Sequence, residues 1–444
     1  MIHRRPQLVL TALLAAALLA GGAVAAGDLA PRGPTQDAAA REPRVIEVKA
    51  GDSWESLATT AAAGDEIVLL EGLHRAVTLT GLRGTAQHPI VIRSRERNKL
   101  AEIAPEREGL KLVDCQHVRI ERIVIRNARR AGIVIESTAP GTPAGTSGNI
   151  EILDTLVVSV EGLVEESGLL ILGASDVTVR RSRFENCKGS AMRIENATRL
   201  TVQRVQVRNA REGEAGVLLL GDCDELAFDD LWIGGPFATA LSIGVKDAPK
   251  EGERVAPIRL PEPVRGPQPA GATPPTRSAP PATPPASAEP AVASPARARV
   301  RDVTFANVMA RSAARMFELG SCSGVRVSNS TFLDPRDEIF RFVRVPKERP
   351  PAELRFFDNL VAWEPGTLER FSSLVEGATD QGLRLGPNLW WSNELPAALP
   401  LLGPEGRPFP GVSDVPQTID IDPDLDDRGR PRQEDAKLFG RNAT

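Results

Sequence analysis

Tyrosine is absent from the 444 residues, and histidine and cysteine occur four times each. His3 lies in the first few residues, which leaves His74, His88 and His117. So few groups titrating near neutrality narrow the acid–base chemistry open to the chain. Cys115, Cys187, Cys223 and Cys322 are too few for a disulfide scaffold, and with no Cys-x-x-Cys they match no zinc motif. An excess of one charge is also missing: 54 basic and 58 acidic residues leave a net −4. That balance gives no support for general nucleic-acid binding, which shows a basic surplus, though an average leaves room for local basic strips. Apolar runs are short. The one at Leu8–Leu19 follows His3, Arg4 and Arg5 and precedes Ala23-Val24-Ala25-Ala26. It reads as a cleavable export signal over residues 1–26, too short to span a membrane comfortably. The expected location is secreted or periplasmic, with no membrane span in the mature chain. No Cys stands near the cleavage region to carry a lipid anchor.

What is present is a repeat. Residues 117–128 (HVRIERIVIRNA), 149–160 (NIEILDTLVVSV), 176–187 (DVTVRRSRFENC) and 199–210 (RLTVQRVQVRNA) share one pattern. So do 225–236, 298–308, 324–335, 353–363 and 382–393. Each opens with an apolar-polar-apolar alternation, breaks at polar residues, and resumes with a second short apolar stretch. A period of two with Val, Ile, Thr and Phe predicts strands. Val177 to Leu200 is 23 residues and Leu200 to Leu226 is 26, about one coil each. A propeller would need four strands per blade and a recurrent Trp or Gly signature, and neither is visible. The predicted class is all-β: a single-stranded right-handed parallel β-helix with a short N-terminal capping helix.

Two turn positions support the stack. Asn127, Ser159, Asn186, Asn209, Gly235, Asn307 and Asp334 align at one corner. Asn, Asp and Gly tolerate left-handed backbone, and stacked amides hydrogen-bond along a column. A second position carries Cys115, Ala174, Ala197, Cys223 and Cys322, a column of small buried side chains. Cys223 and Cys322 are expected in neighbouring coils, reduced, because parallel stacked side chains point alongside one another. Residues 52–62 predict the capping helix, with Asp52 or Ser53 as N-cap and Trp54, Leu57 and Ala58 on one face.

The expected organisation is a linker over 27–44, coils over 45–247, an insert over 248–298, coils over 299–393 and an irregular tail over 394–444. Fourteen of the 37 prolines fall between Pro249 and Pro295, a composition that cannot build a core.

Residues 45–94 then carry a resemblance. Ala63-Gly64-Asp65-Glu66-Ile67-Val68-Leu69, Gly72, Gly84-Thr85 and Pro89-Ile90 resemble the opening of the chondroitinase-B and alginate-lyase group, polysaccharide lyase family 6. The later coils resemble the group more loosely. The resemblance implies action on uronate-containing chains. In that group a calcium ion neutralises the uronate carboxylate, a Lys takes the C5 proton, and an Arg assists the leaving oxygen. Glu212 and Glu214 resemble the group's calcium carboxylates. At its Lys position this chain has Leu218, Leu219 and Leu220, and at its Arg-His-Gly it has Ile243-Gly244-Val245-Lys246. The family's catalytic pair is therefore not matched, and calcium is the only cofactor implied.

Other residues offer chemistry. Lys188, Arg193 and Arg211 lie near the same turn in adjacent coils, and a basic strip there would suit an anionic sugar. Lys246 is a further candidate base. Asp334-Pro335-Arg336-Asp337 resembles the Asp-Pro-His-Asp motif of β-helix mannuronate C5-epimerases, with Arg336 in place of the histidine. Asp154, Asp230 and Asp358 are candidates for a glycosidase pair, which needs a fixed separation. Asp420, Asp422, Asp424, Asp426 and Asp427 form an acidic tail without the glycine of a calcium loop. Two functions follow as expectations: a lyase-like enzyme on an acidic polysaccharide, or a non-catalytic β-helix that binds glycan or serves as a surface module. A monomer is expected, with no nucleic-acid partner.

Overall fold

The structure, a computed structural model, describes residues 42–104, 107–139, 146–160, 166–245, 299–364, 367–375, 377–392 and 432. The expected signal and insert lie outside the described residues, as do nearly all of the linker and the tail.

The strands wind into three-sided coils. One side of each coil joins a ten-stranded sheet that runs in unbroken chain order from Val77–Thr80 to Arg370–Leu374. Between these lie Ser190–Glu195, Gly213–Leu220, Phe237–Ile243, Arg315–Leu319 and Glu338–Phe342. The other two sides belong to one 22-stranded sheet folded along a corner. The fold is continuous there because Thr198–Arg208 and Cys223–Gly234 run through the bend. Each carries two left-handed residues, Arg199 and Arg204 in the first and Glu225 and Asp230 in the second. Every strand pairs in parallel with the strand one coil away, and such crossovers are right-handed. The chain is a right-handed parallel β-helix.

The predicted coil steps hold in register. Ile90, Val118, Ile150, Val177, Leu200, Leu226 and Val303 stack in one inward column. All are nearly inaccessible, and each stabilises the fold by roughly 1.5–3 kcal/mol relative to an exposed side chain. In the later coils the filling turns aromatic. Phe228 stacks on Phe305 at 4.7 Å and Phe317 on Phe340 at 5.3 Å.

Left-handed residues line the corners. His117, Asn149, Asp176, Arg199, Glu225 and Asp302 form one column, and Arg122, Asp154, Arg181, Arg204, Asp230, Asn307, Asn329 and Asp358 another. The expected corner of Asn127, Ser159, Asn186, Gly235 and Asp334 is also left-handed. Two of its assignments need correction. Asn307 belongs to the Arg204–Asp230 column, and Ser312 takes its place. Asn209 stands at the expected corner without left-handed backbone. The longest amide ladder runs elsewhere, in the column Ser330, Asn359 and Asn388. There the Ser330 N–H donates to Asn359 Oδ1 and the Asn359 N–H to Asn388 Oδ1, each at 3.0 Å.

The small-residue column is confirmed, with Ser147 between Cys115 and Ala174. Cys223 and Cys322 are not neighbours, because Val300 pairs with both. Two coil steps of ~4.8 Å put them beyond the reach of a disulfide, and all four thiols are free and buried. The capping helix is one short turn, Leu57–Thr60, preceded by Ser56 and not by Asp52 or Ser53 as N-cap. Trp54 is buried ahead of it, its Nε1–H donating to the Arg75 carbonyl at 3.2 Å, and Leu57 and Ala58 pack on the core. Among the described residues no helix is long and apolar enough to cross a membrane.

Candidate functional site

Three predicted residues meet at one corner. Phe184 and Val207 point inward on adjacent coils, and each strand then turns toward the ten-stranded sheet. The turns carry Asn186-Cys187-Lys188 and Asn209-Ala210-Arg211-Glu212. Together with Ser159 from the coil before, these residues line a cleft of about 800 Å³.

Hydrogen bonds between the two turns hold its floor. Asn209 Oδ1 accepts the Cys187 N–H at 3.0 Å, and Asn209 Nδ2 donates to the Cys187 carbonyl at 2.6 Å. Asn186 Oδ1 accepts the Ala210 N–H at 3.0 Å. The corner amides are thus largely spent on the backbone, which is why their role is positional. Close packing continues below. A Cβ on Gly213 would stand 2.4 Å from Asn209 Nδ2 and 2.8 Å from the Phe237 ring, so only glycine fits there.

Lys188, Arg211 and Glu212 are exposed on this floor. Among the described residues neither Lys188 nor Arg211 forms an ion pair, whereas cations on the neighbouring faces do: Arg181 with Asp154 at 2.7 Å and Arg199 with Asp176 at 2.6 Å. The arginine partners hold Asp154 and Asp176 below the usual carboxylate range. The cleft therefore offers two exposed positive charges and one carboxylate, an arrangement suited to holding anionic groups.

Arg193 does not join them. It lies on the outer side of the ten-stranded sheet, bonded to Glu195. Its distance in sequence from Lys188 carries it past the turn and into the next strand. Glu214 opens that sheet's next strand, its N–H donating to the Gly189 carbonyl at 3.0 Å. Calcium takes roughly six to eight oxygen ligands. Among the described residues no three His, Cys, Asp or Glu side chains gather to hold a metal ion. Glu212 and Glu214, the carboxylates that the resemblance assigns to calcium, lie two residues apart across the turn and the strand that follows it. Lys246 and the acidic tail residues lie outside the described residues.

The other sequence candidates resolve as corners. Asp334 is left-handed and accepts from Arg311 Nε at 3.3 Å, which accounts for the Asp-Pro-Arg-Asp segment without chemistry. Asp154, Asp230 and Asp358 share one column, three coils apart in succession. Three steps of ~4.8 Å exceed the separation of a glycosidase pair.

Sequence reasoning missed a buried charge cluster. Arg315 Nε donates to Glu338 Oε1 at 3.1 Å, Arg341 pairs with Glu318 at 3.7 Å, and Ser242 Oγ donates to Glu318 Oε2 at 3.2 Å. Glu318 pairs in register with Arg341, and Arg315 with Glu338, so charges alternate around a square. Burial pushes the Glu318 carboxyl up. The sequence trace is an Arg-x-x-Glu followed one coil later by Glu-x-x-Arg. The charges pair across the coil step and staple the coils, while Glu338 Oε2 and Arg341 Nε are buried without a hydrogen-bond partner among the described residues.

No family model matches the sequence, and no curated protein is significantly similar to it. Among solved structures the chain is similar to an alginate lyase from Paenibacillus sp. str. FPU-7, at 13% identity over 78% of this chain and 95% of that one, with a TM-score of 0.40. It is similar to a rhamnogalacturonan lyase, at 11% identity over 78% and 87%, TM-score 0.47. It is also similar to a lacto-N-biosidase from Eubacterium ramulus, at 10% identity over 75% of this chain and 62% of that one, TM-score 0.41. The chain spans less than two thirds of that last protein. Likeness at this level says nothing of a reaction, and the β-helix rests on the strand register described above.

Proposed function

We propose that this is an extracytoplasmic β-helix that binds an acidic polysaccharide in the corner cleft, where Lys188 and Arg211 meet the carboxylates of the chain. The observation that carries this reading is the convergence of two exposed cations, neither ion-paired among the described residues, in one cleft of about 800 Å³. Placement outside the cytoplasm rests on the export signal read at residues 1–26. Arg211 suits bidentate contact with a carboxylate, and Lys188 adds a movable point charge.

Elimination is the second reading, favoured by the same pair. The Lys188 amine would take the C5 proton of a uronate whose carboxylate faces Arg211. The electron pair would form the C4–C5 double bond as the C4–O bond breaks, leaving on the glycosidic oxygen. Binding is preferred because Lys188 is exposed, and elimination calls for an amine shielded from water.

The test is titration of alginate, dermatan sulfate and pectate into the protein, with and without calcium, beside ultraviolet detection of unsaturated ends. Binding that weakens in the Lys188→Ala/Arg211→Ala protein supports the main reading. Growth of unsaturated ends turns it toward elimination. No binding and no cleavage of any polymer overturns both.

A further inference from the structure

The second face of the helix, far along the chain from the cleft coils, carries a column of one charge. Thr304 pairs with Arg326, Arg326 with Arg355, and Arg355 with Arg384. The three arginines thus stand directly over one another on consecutive coils, on centres of ~4.8 Å. All three are exposed, each flanked by buried inward residues such as Val327, Leu354, Phe356, Leu383 and Leu385. Among the described residues none makes an ion pair or a side-chain hydrogen bond.

Like charges directly opposite on neighbouring strands destabilise a sheet. The same column avoids this near its start, where Arg119 pairs with Glu151. Elsewhere too, cross-coil arginines meet acids: Arg93 with Glu66, and, just ahead of the corner, Arg301 with Asp224. Three stacked guanidinium groups with no acid partner among the described residues are therefore an exception to the face's own pattern, and an external anion resolves the repulsion.

We propose that Arg326, Arg355 and Arg384 form a second binding surface, for a linear acidic polysaccharide laid along the helix axis. The column direction is the axis direction, so the ligand must carry its charges in a row. The coil spacing is close to one extended sugar residue, which fits a carboxylate or sulfate on successive sugars. Guanidinium groups hold both kinds of oxyanion through paired N–H donors. This rests on the reading that the protein handles acidic glycans, and adds a site on a different face from the cleft.

The test compares four full-length proteins: wild type, Arg326→Ala/Arg355→Ala/Arg384→Ala, Lys188→Ala/Arg211→Ala, and the combination. Each is titrated with long alginate and with dermatan sulfate over a range of salt, after circular dichroism confirms the β-fold. The triple variant should lose affinity for long chains by about tenfold or more and show a shallower salt dependence. Arg355→Ala alone should raise the thermal midpoint at low salt, because it relieves repulsion in the ligand-free protein. Unchanged affinity and salt dependence in the triple variant overturns the ladder, and a simultaneous loss in the cleft variant leaves the cleft standing. Loss in the triple variant with none in the cleft variant does the reverse. Wild type that binds neither polymer overturns both.

Discussion

Asn209 clamps Cys187 from one coil away, accepting its N–H at 3.0 Å and donating to its carbonyl at 2.6 Å. One side chain thereby satisfies both polar groups of a buried backbone unit and fixes the residue before Lys188. Asn209→Ala leaves that N–H and carbonyl without partners. The expected loss is about 1–3 kcal/mol in urea unfolding, together with weaker glycan binding because Lys188 is no longer held. Unchanged stability would show that water replaces the amide at no cost.

The four cysteines should be inert while the protein is folded. Burial pushes the thiols of Cys115 and Cys223 up to about 11, and those of Cys187 and Cys322 up to about 12. The reactive thiolate is then scarce at neutral pH. A chromogenic thiol reagent should report no free thiol in buffer and four in denaturant. Fast reaction of any one in the folded state would contradict this burial.

Acid should weaken the stack through two columns. Asp154 and Asp176 sit below the usual carboxylate range because Arg181 and Arg199 hydrogen-bond them. A depressed folded value contributes stability above the unfolded value, lost as pH falls through the folded one. Both pairs are substantially exposed, so each contributes only ~0.2–1 kcal/mol. Asp154→Asn and Asp176→Asn should lower the urea midpoint near neutrality and leave it unchanged in strong acid. Glu318 has the opposite sign. Its raised value favours the fold below the ordinary carboxylate range, and that contribution is lost as pH rises through it.

The columns were legible where alternation was clean. Val177, Leu200 and Leu226 stack as their spacing predicts, since a one-residue slip would turn every apolar side chain outward. Asn307 was misplaced because Val300, Val303 and Phe305 imitate one alternating strand. Val300 actually belongs to the Cys223 column, which moves Asn307 to an earlier corner. Lys188 and Arg211 could be paired from sequence, as both follow an aligned Asn. Arg193 could not be excluded, because sequence does not say where a turn ends. The arginine ladder was open to reading in Val325-Arg326-Val327, Leu354-Arg355-Phe356 and Leu383-Arg384-Leu385. Its meaning needed the register, since only stacking makes three separate arginines neighbours.

The most direct test of the account is calorimetric titration of short uronate oligosaccharides into wild type and Lys188→Ala/Arg211→Ala protein at low salt. Oligomers too short to bridge the arginine ladder isolate the cleft. The account predicts measurable binding to wild type, weakened by salt, and its loss by about tenfold or more in the double variant. Equal binding by both proteins, or none by wild type, would contradict it.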